Sequence, residues 1–178
     1  MKHKLLHVVL LLMFLLSGGV SAYGQSSPLP VNKKPRTQDD YGPRTLKEIA
    51  ATGTTAGGQH DEANKMILHG NVLPSRVRVT YTGSSRPLPR NRRDVLAKWA
   101  ARFAGDPAHY TVPYDTEMLF IENGAKHWLA VRKNFAAQAG KKLKKGEAVY
   151  LYLIRLGGVR TGDGWEWLML VENYLPAN

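Results

Sequence analysis

The chain has 178 residues, a formal net charge of +11 and no cysteine. Disulfides, cysteine-ligated metals and a lipid anchor on an N-terminal cysteine are therefore excluded, and any folded part must hold together by buried apolar area alone. Twenty-five Lys and Arg against 14 Asp and Glu favour anionic partners through a field that salt screens, or serve plain solubility; net charge by itself names no partner.

Lys2, His3 and Lys4 precede an apolar run from Leu5 to Leu16, interrupted by His7. The run is about a dozen residues, short of the roughly 20 that span a bilayer core. Ser17, Gly18 and Gly19 break it, and Val20-Ser21-Ala22 supplies small residues for cleavage. Residues 1–22 therefore read as a cleaved export signal. Loss of Lys2 and Lys4 leaves a mature chain of +9 starting near Tyr23, without a transmembrane segment, secreted or periplasmic. The lack of disulfides leans towards a bacterial envelope.

Residues 23–59 read as a disordered linker. Pro28, Pro30, Pro35 and Pro43 punctuate it, and a Thr- and Gly-rich stretch, Thr52 to Gly58, follows. Such composition buries too little apolar area to offset the ordering of its backbone. One domain then occupies residues 60–178. Asp61 to His69 has the marks of a short helix, with Asp61 as N-cap and Gly70 as its stop. Arg76 to Thr82 alternates Val77, Val79 and Tyr81 against Arg76, Arg78 and Thr80, a half-buried strand.

Arg92 to Ala104 is the main predicted helix. Val95, Trp99 and Phe103 recur every four residues, Asn91 is the N-cap, and Gly105 and Pro107 end it. Glu117 to Ile121 and Lys126 to Arg132 flank Asn123-Gly124, the favoured two-residue hairpin turn. That turn sets Phe120 against His127, Met118 against Leu129 and Leu119 against Trp128. Phe135 to Ala139 suggests a helical turn, and residues 140–146 a basic loop. Ala148 to Leu156 and Trp165 to Glu172 are aromatic-rich strands whose link is too short for a crossover, so they pair antiparallel.

Five strands and one substantial helix predict an α+β domain built on a small five-stranded antiparallel barrel of the SH3 or OB kind, closed or partly open, with the helix on one opening or face. An open antiparallel sheet with the helix on one side is the alternative.

Chemistry is sparse. His60, Asp61, Glu62 and His69 lack metal-site spacing, and no serine sits in a nucleophile elbow. No metal, cofactor or catalytic set is expected. Asp115 with Glu117, or Glu166 with Glu172, could act as paired carboxylates of a small hydrolase if held a few ångströms apart. Binding groups are denser. Arg86, Arg90, Arg92 and Arg93 gather at the start of the main helix, where cations oppose the helix dipole and a bound anion would relieve them. Lys141, Lys142, Lys144 and Lys145 lie beside the aromatic strands, where Tyr150 and Tyr152 share one face, as do Trp165 and Trp167. Lysines beside rings suit single-stranded nucleic acid or sugar polymers if the rings are exposed; a core is the alternative destination.

The sequence thus favours an exported binding module for an anionic envelope component, a phosphate-rich or acidic polymer. A structural or protein-interaction domain of an envelope assembly, engaging a partner protein, is the second reading, and the small hydrolase the third. Nucleic acid is a poor physiological partner for an exported chain.

Overall fold

The computed structural model describes residues 36–55, 57–162 and 164–177. The expected export signal and residues 23–35 of the expected linker lie outside the described residues. In chain order the elements are β1 (Gly42–Pro43), α1 (Leu46–Thr55), β2 (Gln59–Asp61), β3 (Met66–Leu68), β4 (Ser75–Pro87), α2 (Arg90–Phe103), α3 (Ala108–Thr111), β5 (Thr116–Glu122), β6 (Ala125–Val131), α4 (Lys133–Lys142), β7 (Ala148–Thr161) and β8 (Gly164–Pro176).

Strands β4, β5, β6, β8 and β7 pair in that order, and β7 pairs back onto β4, closing a five-stranded barrel. The expected small α+β barrel is present, with one difference in strand sense. Strand β8 returns into the gap between β7 and β6, and two chain reversals after β6 make it run parallel to β6. The sheet is therefore mixed, in the Greek-key manner of OB-type barrels. The β6–β8 seam is short, with only Ala130 facing Leu170 and Val131 facing Val171.

Local sequence explains the best-predicted elements. Asn123 and Gly124 both have positive φ, 48° and 82°, as a hairpin turn that follows strand twist requires. The resulting register is the expected one, Phe120 on His127, Met118 on Leu129 and Leu119 on Trp128. Strands β7 and β8 also pair antiparallel as expected, but they are longer. Gly157 and Gly158 belong to β7 rather than to a connection. A Cβ at Gly157 would lie 2.2 Å from the Ile67 carbonyl oxygen, so glycine is what lets β3 close on β7.

Each mouth of the barrel is stoppered by a helix. From α1, Leu46 and Ile49 enter the interior with Val77, Val79, Leu151 and Leu153; from α4, Phe135, Ala139 and Leu143 enter at the other end. Residues 36–55, expected in the linker, are thus integral to the fold. Two apolar residues suffice because they land in a prepared mouth. The α1 N-terminus is held by Thr45 and Glu48, which exchange backbone bonds in a capping box (Thr45 N to Glu48 Oε2 2.7 Å, Glu48 N to Thr45 Oγ1 3.1 Å). Both carboxylate oxygens of Glu122 accept from the Leu46 N–H at 2.9 Å.

The main helix α2 packs outside the barrel. Val95, Leu96, Trp99 and Ala100 meet Ile154, Leu156, Leu168 and Leu170 on the outer faces of β7 and β8. Helix α2 starts at Arg90, after Pro89 rather than Asn91, and ends without a left-handed Gly105. The short helix expected over residues 61–69 is instead the β2–β3 hairpin, interrupted by a 3-10 turn at Glu62–Asn64. Pairing of Met66, Ile67 and Leu68 with β7 outweighs the weak helical spacing. Helix α4 is a full helix rather than one turn, so Lys141 and Lys142 are helical.

Replacing Ile49 by Ala is expected to lower the unfolding free energy by about 2–5 kcal/mol, read from urea denaturation. An unchanged midpoint would show that α1 does not stopper the barrel.

Candidate functional site

The predicted arginine cluster is assembled around a carboxylate. Glu117 on β5 is fully buried although it points away from the barrel interior. Its Oε2 accepts from Arg86 Nε at 2.9 Å, and its Oε1 accepts from Arg92 Nη1. Arg92 Nη1 also donates to the Trp128 carbonyl at 2.8 Å, and its Nε lies 3.7 Å from Glu166 Oε2. Asn91 Nδ2 donates to the same Glu166 oxygen at 3.2 Å. The arginine at the helix start therefore ties β5, β6 and β8 together.

Arg86 is used differently. Its Nε edge is on Glu117, and one face lies 4.1 Å from the Trp128 ring centroid. Its terminal nitrogens have no partner among the described residues, and its side chain is 41% exposed. A guanidinium fixed in plane with a free edge is suited to a phosphate or carboxylate. Arg90 and Arg93, in the first turn of α2, are exposed, and neither has an ion pair among the described residues. Four predicted arginines thus divide into one structural member, one half-committed and two free.

Lys141, Lys142, Lys144 and Lys145 are all exposed at the end of α4 and in the loop after it. That loop is fixed to β4, because Gly146 N donates to Tyr81 O at 2.8 Å and Tyr81 N to Glu147 O at 2.9 Å. Glu147 turns its carboxylate onto the Lys144 N–H at 2.8 Å.

The four aromatic candidates separate. Tyr152 is buried, with Tyr41 edge-on at 5.3 Å. Tyr41 in turn donates to Glu172 Oε2 at 2.5 Å, beside Arg36; burial, then Glu172, pushes its hydroxyl well above the ordinary range. Tyr150 is half-buried, with the Arg76 guanidinium 5.6 Å from its ring centroid. Trp165 and Trp167 are half-buried and stacked at 5.6 Å. Trp167 is wedged against α1, where a Cβ on Gly53 would meet its ring at 2.3 Å. So Tyr152 and Trp167 serve packing.

The carboxylate pairs are not brought together. Glu117 is enclosed by arginines, whereas Asp115 is partly exposed on Lys133 at 3.0 Å. Glu166 belongs to Arg92 and Asn91, whereas Glu172 belongs to Arg36 and Tyr41. Among the described residues no three His, Asp or Glu side chains are grouped to hold a metal, and no helix is long and apolar enough to cross a membrane.

Sequence reasoning passed over Arg76 and Arg78. It assigned them to the outer face of their strand, which is correct, but saw no site there. Both are exposed without a carboxylate partner among the described residues. It also passed over Arg155, which is buried inside the barrel mouth. Arg155 Nη1 donates to Ile49 O at 2.6 Å and to Thr52 Oγ1 at 2.9 Å, and its Nε has no hydrogen-bond partner among the described residues. His69 is buried on the same Trp167 ring, 6.0 Å between centroids.

No protein-family model matches the chain, and no curated protein matches it.

Two outcomes follow from these buried ionisable groups. Glu117→Gln leaves two guanidiniums around a neutral amide, and a loss of about 3–5 kcal/mol is expected in urea denaturation; a loss below 1 kcal/mol would refute the bridging role. His69 is held down to about 4 from 6.5 by burial, then by Arg155 and, more weakly, His60. Unfolded chains bind its proton first, so its contribution is complete above 6.5 and is lost as the pH falls towards 4. The effect is up to about 3 kcal/mol. A His69→Gln variant should show a flatter stability profile over that window; an unchanged slope would contradict it.

Proposed function

We propose that this chain is an exported binding module for an anionic envelope component, a phosphate-rich or acidic polymer. The observation that carries the reading is Arg86, pinned between Glu117 and Trp128 with its outer edge free, next to Arg90 and Arg93, which have no acidic partner among the described residues. Cations that only serve solubility need no such fixing; a guanidinium held in one plane has lost its rotamer freedom before a ligand arrives, which favours binding. The export signal and the +9 of the mature chain support a location and a field that suit such a ligand. Enclosure of Glu117 and the separation of the other carboxylates favour binding over hydrolysis.

The test is retention on an immobilised polyanion as ionic strength rises. Wild type should elute later than the Arg90→Gln/Arg93→Gln double variant. A charge-matched control, Lys47→Gln/Arg102→Gln, removes two exposed cations from other surfaces and should elute close to wild type. Salt-independent or absent retention would overturn the reading. Equal loss in both variants would reduce it to net charge.

A further inference from the structure

Strand β4 carries more than the head of this site. Its inner row, Val77, Val79 and Tyr81, is in the core, so Arg76, Arg78 and Thr80 point outward. A bulge between Tyr81 and Ser85 interrupts the register, and pairing of Arg86 with Glu117 restores the outward direction beyond it. Arg76, Arg78 and Arg86 therefore stand on one face of one strand. At a strand rise of about 3.3 Å per residue, Arg76 and Arg78 are roughly 6.6 Å apart, and Arg76 to Arg86 spans at most about 33 Å.

The middle of this line is not neutral. The loop bearing Lys144 and Lys145 is bonded to β4 at Tyr81, and a Cβ on Gly83 would lie 4.0 Å from the Lys145 Cβ. Lys126, on the far side of β5, faces Ile121, which faces Thr80. At the lower end, α2 begins three residues after Pro87 and adds Arg90 and Arg93. Of the nearby carboxylates, Glu117 is held by two arginines and Glu147 by the Lys144 N–H, and Asp94 is exposed beside Arg90 and Arg93 on α2. Both terminal arginines lie against rings, Arg76 on Tyr150 and Arg86 on Trp128.

We infer that the outer face of β4 is a continuous basic track for an extended linear polymer carrying phosphate in every repeat, running from Arg76 and Arg78 past Lys145 to Arg86 and Arg90. This deepens the proposed function and rests on it. Length follows from the line of cations, which exceeds what a single anion can touch. The preference for charge in the polymer backbone follows from the rings. Tyr150 and Trp128, which could otherwise stack on sugar rings, each have an arginine over a face, so the track offers forks rather than stacking platforms.

The test compares long-chain inorganic polyphosphate, triphosphate and polygalacturonate by competition with retention on the polyanion matrix. Long-chain polyphosphate should bind about tenfold or more tightly than triphosphate, because successive contacts act in one chain. Arg76→Gln/Arg78→Gln should weaken the long chain by about three- to tenfold and reduce its salt slope by about 1 to 2, and weaken triphosphate by less, since the Arg86 end of the track is intact. Both positions are exposed strand sites, and urea midpoints within error of wild type confirm that each variant folds. If triphosphate competes as well as the long chain, or if the Arg76/Arg78 variant binds like wild type, the track is refuted while the Arg86 site stands. Polygalacturonate binding as tightly as polyphosphate overturns the phosphate assignment. No salt-dependent binding to any of the three overturns the proposed function itself.

Discussion

A carboxylate removed from water must be surrounded by cations and donors, because its desolvation outweighs any single attraction. Glu117 is such a group, and much of the architecture is arranged around it. It sits on β5, its partners come from β4 and α2, and Arg92 continues from it to the Trp128 carbonyl on β6 and to Glu166 on β8. The barrel needs this, since β6 and β8 pair over only two residues. Where the ladder fails, side chains of α2 hold β6 and β8 together across the gap. The same contacts fix Arg86 in plane and leave its edge outward, so the structural bridge and the proposed binding edge share one carboxylate.

The mouth closed by α1 holds a buried cation instead. Arg155 sits in the apolar interior, where its Nη1 donates to an α1 carbonyl and a threonine hydroxyl while its Nε has no partner among the described residues. Helix α1 is held in return through Ile49, through the fit of Gly53 under Trp167 and through Glu122 at its N-terminus. Removing α1 would uncover a buried guanidinium as well as apolar surface. This explains how a segment with few apolar residues stays docked: polar groups on the barrel need it as much as its own leucine and isoleucine need the barrel.

Legibility in the sequence followed the range of the interactions. The hairpin at Asn123-Gly124, the register around Phe120 and the buried stripe of Val95 and Trp99 are set by neighbours in the chain, and all could be read directly. The α1 segment could not be read from composition, because its stability lies in Glu122 and Arg155, far away in sequence. One local signal was nevertheless present, since Thr45 and Glu48 have capping-box spacing. The β2–β3 hairpin was hidden for the reason that hides edge strands generally: its partner is β7, some ninety residues on. At the site, the clustering of Arg86 to Arg93 was visible, but the division of labour among them was not. Nothing in the order of residues says that Glu117 would be enclosed, or that Glu166 would join Arg92 rather than Glu172.

The distribution of arginine on this protein also argues against a uniform coat of charge. Arg36, Arg86 and Arg92 face acids, and each fastens distant parts of the chain. Arg76, Arg78, Arg90 and Arg93 face none among the described residues. Arg102 and Arg160, exposed elsewhere on the surface, also face no acid among the described residues, but the group of four falls along one strand and the first turn of the helix that follows it. Like charges roughly 6.6 Å apart on one strand face repel, and nothing in the packing of Val77 and Val79 beneath them requires arginine above. That placement is unfavourable for folding, and an anion lying along the row, as proposed, would offset the repulsion.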